Sequence, residues 1–320
     1  MSDPEDLAAL RSGDPRAIGR TLTLVENDPT AAEPLLEALA GAGADAPRIG
    51  ITGPPGAGKS TLVASLLRLD LEASGAPGVV AVDPSSEQTG GAVLGDRVRL
   101  RGDEDAGRAF FRSVATRGSR GGLARTCADL LRILAAAGKR PLYLETVGVG
   151  QSELEIAELV DTVVLVLVPE SGDFIQTLKA GVLEVADIVV VNKADREGAQ
   201  ALAEEIADTL HRSARLDPDW DVPVLLASAR TGDGVTALRD ALGRHASHLR
   251  SGGGLARRRA AQVGKELRRR LRGRLEDWLD RDPSIHQSVE AEAREVAAGR
   301  RTPTGAARRL WDALKAAAWR

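Results

Sequence analysis

Seven apolar segments of strand length are the feature that most constrains the fold of this 320-residue chain. They alternate with stretches in which apolar residues recur at helical spacing. Nearly continuous apolar strands that alternate with helices are typical of a parallel sheet covered by helices on both faces. The segments are RIGIT, GVVAVD, AFFRSV, PLYLET, TVVLVLV, DIVVVNK and VPVLLAS. The sequence therefore predicts a doubly wound α/β domain with a mainly parallel sheet.

Helical patterns on either side of the predicted sheet indicate two extensions. We predict an N-terminal helical extension over 1–45, a nucleotide-binding domain over 46–250 and a C-terminal helical arm over 251–320. The segment SGGGLA, which begins at Ser251, predicts a flexible break before the arm. The arm itself is predicted to contain helices near 256–281, 285–299 and 303–319, and Thr302 is expected to cap the last of them.

The segment GPPGAGKST predicts a phosphate-binding loop, because it matches G-x-x-x-x-G-K-[ST] after a predicted strand and before a predicted helix. Its glycines let backbone N–H groups turn toward phosphates, and the helix N-terminus adds a favourable dipole. Lys59 is expected to neutralise the β- and γ-phosphate oxygens, and Ser60 to hold Mg²⁺. The candidate nucleotide-binding residues here are Gly53, Pro54, Pro55, Gly56, Ala57, Gly58, Lys59, Ser60 and Thr61.

The segment VNKAD predicts that the bound base is guanine. It places Asn192, Lys193 and Asp195 at the carboxyl end of a strand, where open α/β sheets bind ligands. An ionised Asp195 accepts hydrogen bonds from both N1–H and the 2-amino group of guanine, whereas adenine leaves this buried carboxylate without a donor. The stem of Lys193 is expected to lie along the base, and Asn192 to tie neighbouring loops. Ser228 and Ala229, at the next strand end, are expected to direct backbone N–H groups toward guanine O6.

Three acidic residues are candidates for Mg²⁺ or its water shell: Asp83, Asp96 and Glu145. Mg²⁺ prefers six oxygen ligands and keeps several waters. Glu145 opens the turn ETVGVGQSE, where many nucleotide hydrolases have aspartate, and its longer side chain can reach a metal-bound water. The alternative for Asp83 is a turn former before Pro84, and the alternative for Asp96 is a surface-loop residue.

Composition excludes several other classes of protein. The net charge of −3 and the pI near 5.9 give no overall signature of nucleic-acid binding. One cysteine and four histidines exclude an internal disulfide framework and a Cys-based zinc site; His245 and His248 merely flank a predicted helix end. Cys127 fits the apolar face of a helix. The chain opens without a signal-peptide pattern and has no apolar run of transmembrane length, so we expect a soluble, cytoplasmic protein with no membrane contact.

The basic segment ARRRAAQVGKELRRRLRGRLEDWL could bind nucleic acid, but its apolar residues favour another interpretation. Leu267, Leu271, Leu275 and Trp278 recur at helical spacing. This pattern favours a packed or dimerising helix with a solvated basic face. The tryptophans of the arm, Trp278, Trp311 and Trp319, suit either an interface between chains or packing within one chain.

Taken in order, these motifs resemble the MeaB/ArgK family of GTPases associated with methylmalonyl-CoA mutase. The matching stretches include GPPGAGKST, VAVDPSS, TGGAVLGDRVRL, LYLETVGVGQSE, IQTLKAG, VVNKAD and ASARTGDGV. The resemblance implies a SIMIBI-type G domain in a homodimeric chaperone. It also implies that the protein binds an adenosylcobalamin-dependent acyl-CoA mutase, gates cofactor loading by GTP hydrolysis, and protects or reactivates the mutase. The segment VATRGSRGG departs from the family pattern and leaves the client mutase open.

The resemblance also assigns roles in the switch regions. Gly148 would sense the γ-phosphate, Asp83, Asp96 and Glu145 would serve metal and switch functions, and Gln176 and Lys179 would couple nucleotide to partner. Val149 stands where many GTPases have a water-orienting glutamine, and Gln151 follows two residues later. We therefore expect slow GTP hydrolysis until a partner completes the site. The candidate catalytic residues are Lys59, Asp96, Glu145, Gln151 and Lys179.

Two other functions share some of these motifs. A GTPase that delivers nickel, zinc or cobalt would need clustered cysteines or histidines, and this chain contains no such cluster in its sequence. A kinase linked to amino-acid transport would need an acceptor pocket and a base, and no residue is dedicated to that role in sequence.

Overall fold

A computed structural model describes residues 4–83, 108–115, 122–146, 155–171, 182–212, 217 and 219–318. The chain divides into two compact units, Met1–Val263 and Gly264–Arg320. The boundary between them lies inside a long helix rather than at the predicted break. The predicted division at residues 45 and 250 stays a prediction.

Seven parallel strands form one sheet within the described part of the first unit. Each predicted apolar segment coincides with one of them, with β3 extending one residue past its segment, which confirms the predicted α/β class. The strands are β1 (Arg48–Thr52), β2 (Gly78–Asp83), β3 (Phe110–Ala115), β4 (Leu142–Glu145), β5 (Thr162–Leu167), β6 (Ile188–Val191) and β7 (Val224–Leu226). Their order in the sheet is β3-β2-β4-β1-β5-β6-β7.

Helices precede the sheet, alternate with its strands and follow it. In the described residues they are α1 (Pro4–Arg11), α2 (Pro15–Asn27), α3 (Glu33–Ala38), α4 (Lys59–Glu72), α5 (Gly122–Ala136), α6 (Val182–Val185), α7 (Ala199–Arg212), α8 (Val235–Ser251), α9 (Gly254–Arg281), α10 (Pro283–Ala297) and α11 (Pro303–Ala318). Short 3₁₀ turns lie at Ile156–Glu158 and Pro169–Ser171.

Alternate residues of the strands supply two buried faces. Val80 of β2 packs in one core with Ile18 and Leu22 of α2 and with residues of α5. Val79, its neighbour in the chain, belongs to the core on the opposite face with α4 and α8. Ile18 and Leu22 of α2 are thus buried against the sheet, and burying a side chain of this size contributes about 1.5–3 kcal/mol to stability. Helix α2 therefore belongs to the same folded unit as the sheet.

The order of the strands fixes where a ligand can bind. β1 lies between β4 and β5, and Ile51 pairs with Glu145 on one side and with Val164 on the other. Chain connections leave β1 and β4 in opposite directions across the sheet, so a crevice forms at the carboxyl ends of these strands. The predicted phosphate loop follows β1 at this point.

At the opposite, amino-terminal edge of the sheet, two arginines hold the start of α9. Arg258 donates from both terminal nitrogens to Asp187, at 2.8 Å each, and Arg259 donates to both oxygens of Asp161 at 2.8 and 2.6 Å. Asp161 and Asp187 stand immediately before β5 and β6. We call these four residues the arginine clamp. It joins the first turns of α9 to two central strands.

The buried surroundings of this clamp include His245, for which the sequence analysis predicts no role beyond flanking a helix end. His245 lies within α8 and is completely buried, with Nδ1 2.8 Å from Thr162 Oγ1 and Nε2 3.3 Å from Asp187 Oδ1. Trp220 packs against the rings of His245 and His248 at centroid distances of 4.8 and 5.3 Å. His245 therefore packs and forms hydrogen bonds inside the helix, whereas His248 lies in its last turn, near the helix end as predicted.

The break predicted around Ser251 is short. Only Gly252 and Gly253 separate α8 from α9, and Gly253 adopts a φ of +66°. Arg257 Nη1 donates to Gly252 O at 2.8 Å across this turn. The glycines thus form a tight connection between two helices.

The second unit contains the rest of α9 together with α10 and α11. Asp282 caps α10 by accepting from Ser284 N at 2.8 Å, and Thr302 Oγ1 accepts from Gly305 N at 3.2 Å, which confirms the predicted cap of α11. Glu292 of α10 pairs with Arg301 and Arg309, and so helps to hold these two helices together. No described helix combines the length and the apolar character needed to cross a membrane.

Candidate nucleotide-binding site

At two positions of the phosphate-loop segment, the backbone lies so close to neighbouring atoms that only glycine fits. Gly53 has φ +141°, and a Cβ there would lie 2.0 Å from Val166 O of β5. Gly58 has φ +85°, and a Cβ there would lie 2.4 Å from Asn192 Nδ2. Gly56 also has a positive φ, +75°, but a Cβ there would meet no atom within 4 Å. The loop is therefore packed against β5 and Asn192 at two points and open at the third.

Lys59 is the first residue of α4, and its ammonium group is buried. Its Nζ donates to Gly53 O at 2.8 Å and to Pro54 O at 3.0 Å. The loop's own carbonyls thus fix the cation at the helix N-terminus, where backbone N–H groups and the helix dipole favour an anion. Gly58 precedes the helix with no side chain to cover this end, so the cradle suits a phosphate.

Ser60 and Glu145, both predicted metal-site residues, lie next to each other. Ser60 Oγ donates a hydrogen bond to Glu145 Oε1. Glu145 is buried at the end of β4, and the following residue, Thr146, donates from its N–H to Ile51 O at 3.1 Å. The hydroxyl and the carboxylate supply the oxygen ligands that Mg²⁺ prefers, so the residues present fit this ion.

Several predicted residues fall outside the described structure. Asp83 ends β2, which lies between β3 and β4, but its side chain is not described. The other predicted residues outside the described ranges are Asp96, Gly148, Val149, Gln151, Gln176, Lys179 and, in the C-terminal arm, Trp319. Among the residues that are described, no group of three or more His, Cys, Asp or Glu side chains could hold a metal ion.

Asn192 connects the phosphate loop with the loop after β7. It is almost completely buried, its Nδ2 donates to Ala57 O at 2.7 Å, and its Oδ1 accepts from Ala229 N at 3.0 Å. Its own backbone N–H donates to Leu167 O at 2.7 Å. One amide side chain therefore fixes the distance between the segment that fits phosphates and the segment predicted to bind the base.

Asp195 lies beside the loop after β7 and is held by two residues of that loop. Ser228 Oγ donates to Asp195 Oδ1 at 2.9 Å, and Arg230 Nη2 donates to Oδ2 at 3.1 Å. The hydrogen bond from Ser228 is the main cause of a lowered pKa of Asp195, with a smaller contribution from Arg230. The carboxylate is therefore ionised at neutral pH and acts only as an acceptor.

Two expectations for this end of the site need correction. The Asp195 side chain is not buried but 37% exposed, because it follows β6 on a surface turn in which Lys193 adopts a φ of +57°. The backbone N–H groups of Ser228 and Ala229 are engaged within the protein, with Asp233 O and Asn192 Oδ1 as acceptors. In this arrangement they are not directed at a base.

The hydroxyl of Ser228 and the side chain of Arg230 are contacts that sequence reasoning missed. The sequence predicts a role for the backbone of Ser228 only, and none for Arg230. The available signal was position: both residues belong to the segment ASARTGDG, which follows the strand adjacent to that of Asp195.

Comparison with known proteins gives matches over most of the chain. The family model described as "Methylmalonyl Co-A mutase-associated GTPase MeaB" matches residues 18–283. A Pyrococcus horikoshii protein that is named as a GTPase is 42% identical over 271 residues, which are 84% of this chain and 86% of that protein. The mouse protein "Methylmalonic aciduria type A homolog, mitochondrial" is 34% identical over 271 residues, 84% of this chain and 65% of that protein.

A solved structure is similar over nearly the whole chain. It is the "Crystal structure of LAO/AO transport system kinase", with a TM-score of 0.75, 27% sequence identity and coverage of 97% of both chains. The similarity extends over the sheet and the terminal helices, and it agrees with the α/β fold found here.

Proposed function

Since this chain belongs to the MeaB family of methylmalonyl Co-A mutase-associated GTPases, we propose that it is a magnesium-dependent GTPase and a chaperone of an adenosylcobalamin-dependent acyl-CoA mutase. Hydrolysis of GTP would gate cofactor loading and protect or reactivate the mutase. The main support for the proposal is the bridge made by Asn192. Its side chain is hydrogen-bonded both to the phosphate loop and to the loop after β7, which contacts the Asp195 carboxylate.

At the phosphate end, the backbone of Gly53–Thr61 receives the phosphates and Lys59 neutralises their charge. To contact the β- and γ-oxygens, the ammonium of Lys59 exchanges its present carbonyl acceptors, Gly53 O and Pro54 O, for phosphate oxygens. Ser60 and Glu145 would hold Mg²⁺ or one of its waters, with Asp83 and Asp96 as further candidates. An ion held there would neutralise part of the negative charge of the phosphates.

At the base end, Asp195 distinguishes guanine from adenine. Guanine offers two parallel N–H donors to a carboxylate, and adenine offers none at these positions. The Asp195 carboxylate becomes enclosed only when a base covers it. Adenine would then remove water from the carboxylate without donating a hydrogen bond to it, and this loss would weaken adenine binding. Ser228 holds the carboxylate by its hydroxyl, and Lys193 lies beside it on the same turn.

We propose that hydrolysis by the protein alone is slow. Gly148 would sense the γ-phosphate. The next residue is Val149, whose side chain has no group that can orient a water molecule. Gln151, Asp96 and Lys179 are the candidates for completing the reaction when a partner is bound. In phosphoryl transfer, a correctly placed catalytic side chain such as an arginine supplied by a partner is worth a factor of about 10³ or more.

We propose that two copies of the chain associate through the C-terminal arm. On α9 of the second unit, Leu267, Leu271, Leu275 and Trp278 share one face and are 61%, 60%, 45% and 41% exposed. An apolar stripe of this length is unusual on a protein surface without a partner. A second copy presents the same stripe, and a symmetric pair of helices covers both.

GTP carrying a labelled γ-phosphate tests the proposed activity. Incubated with the full chain and Mg²⁺, it should release inorganic phosphate slowly, and the purified client mutase should accelerate release at least about tenfold. The client is identified by affinity purification from the native host. Lys59→Ala should abolish release in both conditions. A fast rate that the mutase does not change would contradict the proposed partner dependence.

A kinase is the second candidate, because the similar solved structure bears that name. The same labelled GTP separates the two functions. Transfer of the label to protein or to an amino acid, in place of release as inorganic phosphate, would support the kinase and contradict the GTPase.

A further inference from the structure

The carboxylate proposed to read guanine already has a positively charged partner from its own chain. We propose that Arg230 is a tethered competitor of guanine at Asp195 and thereby limits how fast the base site can be filled. The inference rests on the proposed function, because it concerns the same carboxylate and the same ligand.

The two contacts on Asp195 differ in how firmly they are held. Ser228 is 2% exposed, so its hydrogen bond to Oδ1 is enclosed by protein. The Arg230 side chain is 81% exposed and meets Oδ2 from the solvent side, at 3.1 Å. Ser228 therefore orients the carboxylate permanently, whereas Arg230 covers its outer oxygen reversibly.

The chemistry of the two competing groups is alike. The Arg230 guanidinium is planar and presents parallel N–H donors that suit a carboxylate. The N1–H and 2-amino groups of guanine present the same pair of parallel donors. Arg230 thus imitates the edge of guanine that Asp195 is proposed to recognise, and a base must replace it at Oδ2.

The loop that carries Arg230 lets the side chain move while its backbone stays in place. Gly232 N donates to Ser228 O at 2.9 Å, Ser228 N donates to Asp233 O at 2.9 Å, and Ala229 N is bound by Asn192. These bonds fix the main chain on both sides of Arg230. Release of the carboxylate therefore needs only a rotation of an exposed side chain, with no rearrangement of the site.

While Arg230 is paired with Asp195, the base site cannot accept guanine, so only a fraction of the molecules can bind nucleotide at any moment. When only part of the population has Oδ2 open, the apparent association rate and affinity fall by that fraction. An exposed ion pair is weak, so the reduction is about two- to fivefold. Because the pair is exposed, salt screens it and the reduction shrinks at high ionic strength.

Stopped-flow binding of GDP with a fluorescent ribose substituent, in magnesium buffer, tests this inference on the full chain. Arg230→Ala should associate about two- to fivefold faster than wild type at low ionic strength, with an unchanged dissociation rate. At high ionic strength the two association rates should converge. An unchanged melting temperature would show that the exposed substitution leaves the fold intact.

Arg196→Ala is the matched control, because Arg196 is an exposed arginine adjacent to Asp195 in sequence but pairs with Glu170. It removes the same charge and should not accelerate association. Equal or slower association by Arg230→Ala, or faster dissociation, would overturn the inference and indicate a contact of Arg230 with the bound nucleotide. Failure of wild type to bind GDP at all would instead remove the proposed function, and this inference with it.

Discussion

At the scale of single residues, Gly58 shows how one missing Cβ positions the candidate site. Its positive φ lets the chain turn into α4, and the absence of a side chain lets the Asn192 amide lie against the loop. That amide is also the bridge to the loop after β7. The geometry of both loops therefore depends on this glycine.

We expect Gly58→Ala to destabilise the fold more than Gly56→Ala. Both substitutions place an alanine at positive φ, which costs about 1–2 kcal/mol. Only Gly58→Ala also displaces the buried Asn192 amide, which adds about 1–3 kcal/mol. Urea unfolding of the two variants measures the difference, and equal free energies of unfolding would show that the contact with Asn192 is unimportant.

Asp195 gives the residue-scale prediction for base choice. We expect Asp195→Asn to weaken GTP binding about tenfold to a hundredfold and to favour xanthine nucleotides, because the amide donates where the carboxylate accepted. Isothermal titration with GTP and XTP measures both effects. Glu197→Gln, which neutralises another exposed carboxylate two residues away, should leave both affinities unchanged. Unaltered GTP affinity in Asp195→Asn would contradict the assignment.

At the scale of elements, the arginine clamp couples two strands to α9. The Asp187 carboxylate is 7% exposed, and it would be costly to bury without the Arg258 guanidinium. Burial raises the pKa of Asp187, but the nearby His245 ring and the hydrogen bonds from Arg258 outweigh this effect, and the pKa lies below its ordinary value. The pair therefore stabilises the fold as an ionised pair.

We expect Arg258→Ala to lower the free energy of unfolding by about 3 kcal/mol near neutral pH, since it leaves a buried carboxylate with fewer donors. A carboxyl with a lowered folded pKa stabilises above its unfolded pKa and loses that contribution as pH falls through the folded value. The difference between wild type and variant should therefore shrink below about pH 4. Chemical denaturation across this pH range measures it.

The neighbouring Arg257→Ala is the control for this prediction. Arg257 is exposed and donates to Gly252 O, not to a carboxylate. We expect a change within about 0.5 kcal/mol that does not vary with pH. A loss in Arg258→Ala that is equally large at acid pH would show that lost packing, and not the ion pair, is responsible.

At the scale of the whole molecule, the second unit carries the stripe proposed to bind a second copy. We expect Leu271→Glu to give a monomer by sedimentation while the fold and GDP affinity stay unchanged. In the dimer, burial of each Leu271 side chain would contribute about 1.5–3 kcal/mol, and the variant would instead bury a charged glutamate there. Arg272→Gln, which makes the same change in net charge one position away, should stay a dimer. The same mass for wild type and Leu271→Glu would contradict the proposed interface.

Much of this protein was determined by the sequence alone. The apolar pattern located all seven strands of the described sheet. The five inner strands are almost continuously apolar because they are buried on both faces, whereas the edge strands β3 and β7 are only partly buried. The loop GPPGAGKST was recognisable because its glycines are dictated by local backbone torsion, and the cap at Thr302 because capping acts over three residues.

Tertiary structure decided the contacts between segments distant in the chain. Asn192 meets Ala57 across 135 positions, Ser228 and Arg230 meet Asp195 from another strand end, and Arg258 meets Asp187. Periodicity reports only which face of an element is buried, so it contains no information about which side chain lies opposite. For the same reason the exposure of Asp195 could not be predicted: burial depends on the neighbouring loops, and those are placed by the order of the strands in the sheet.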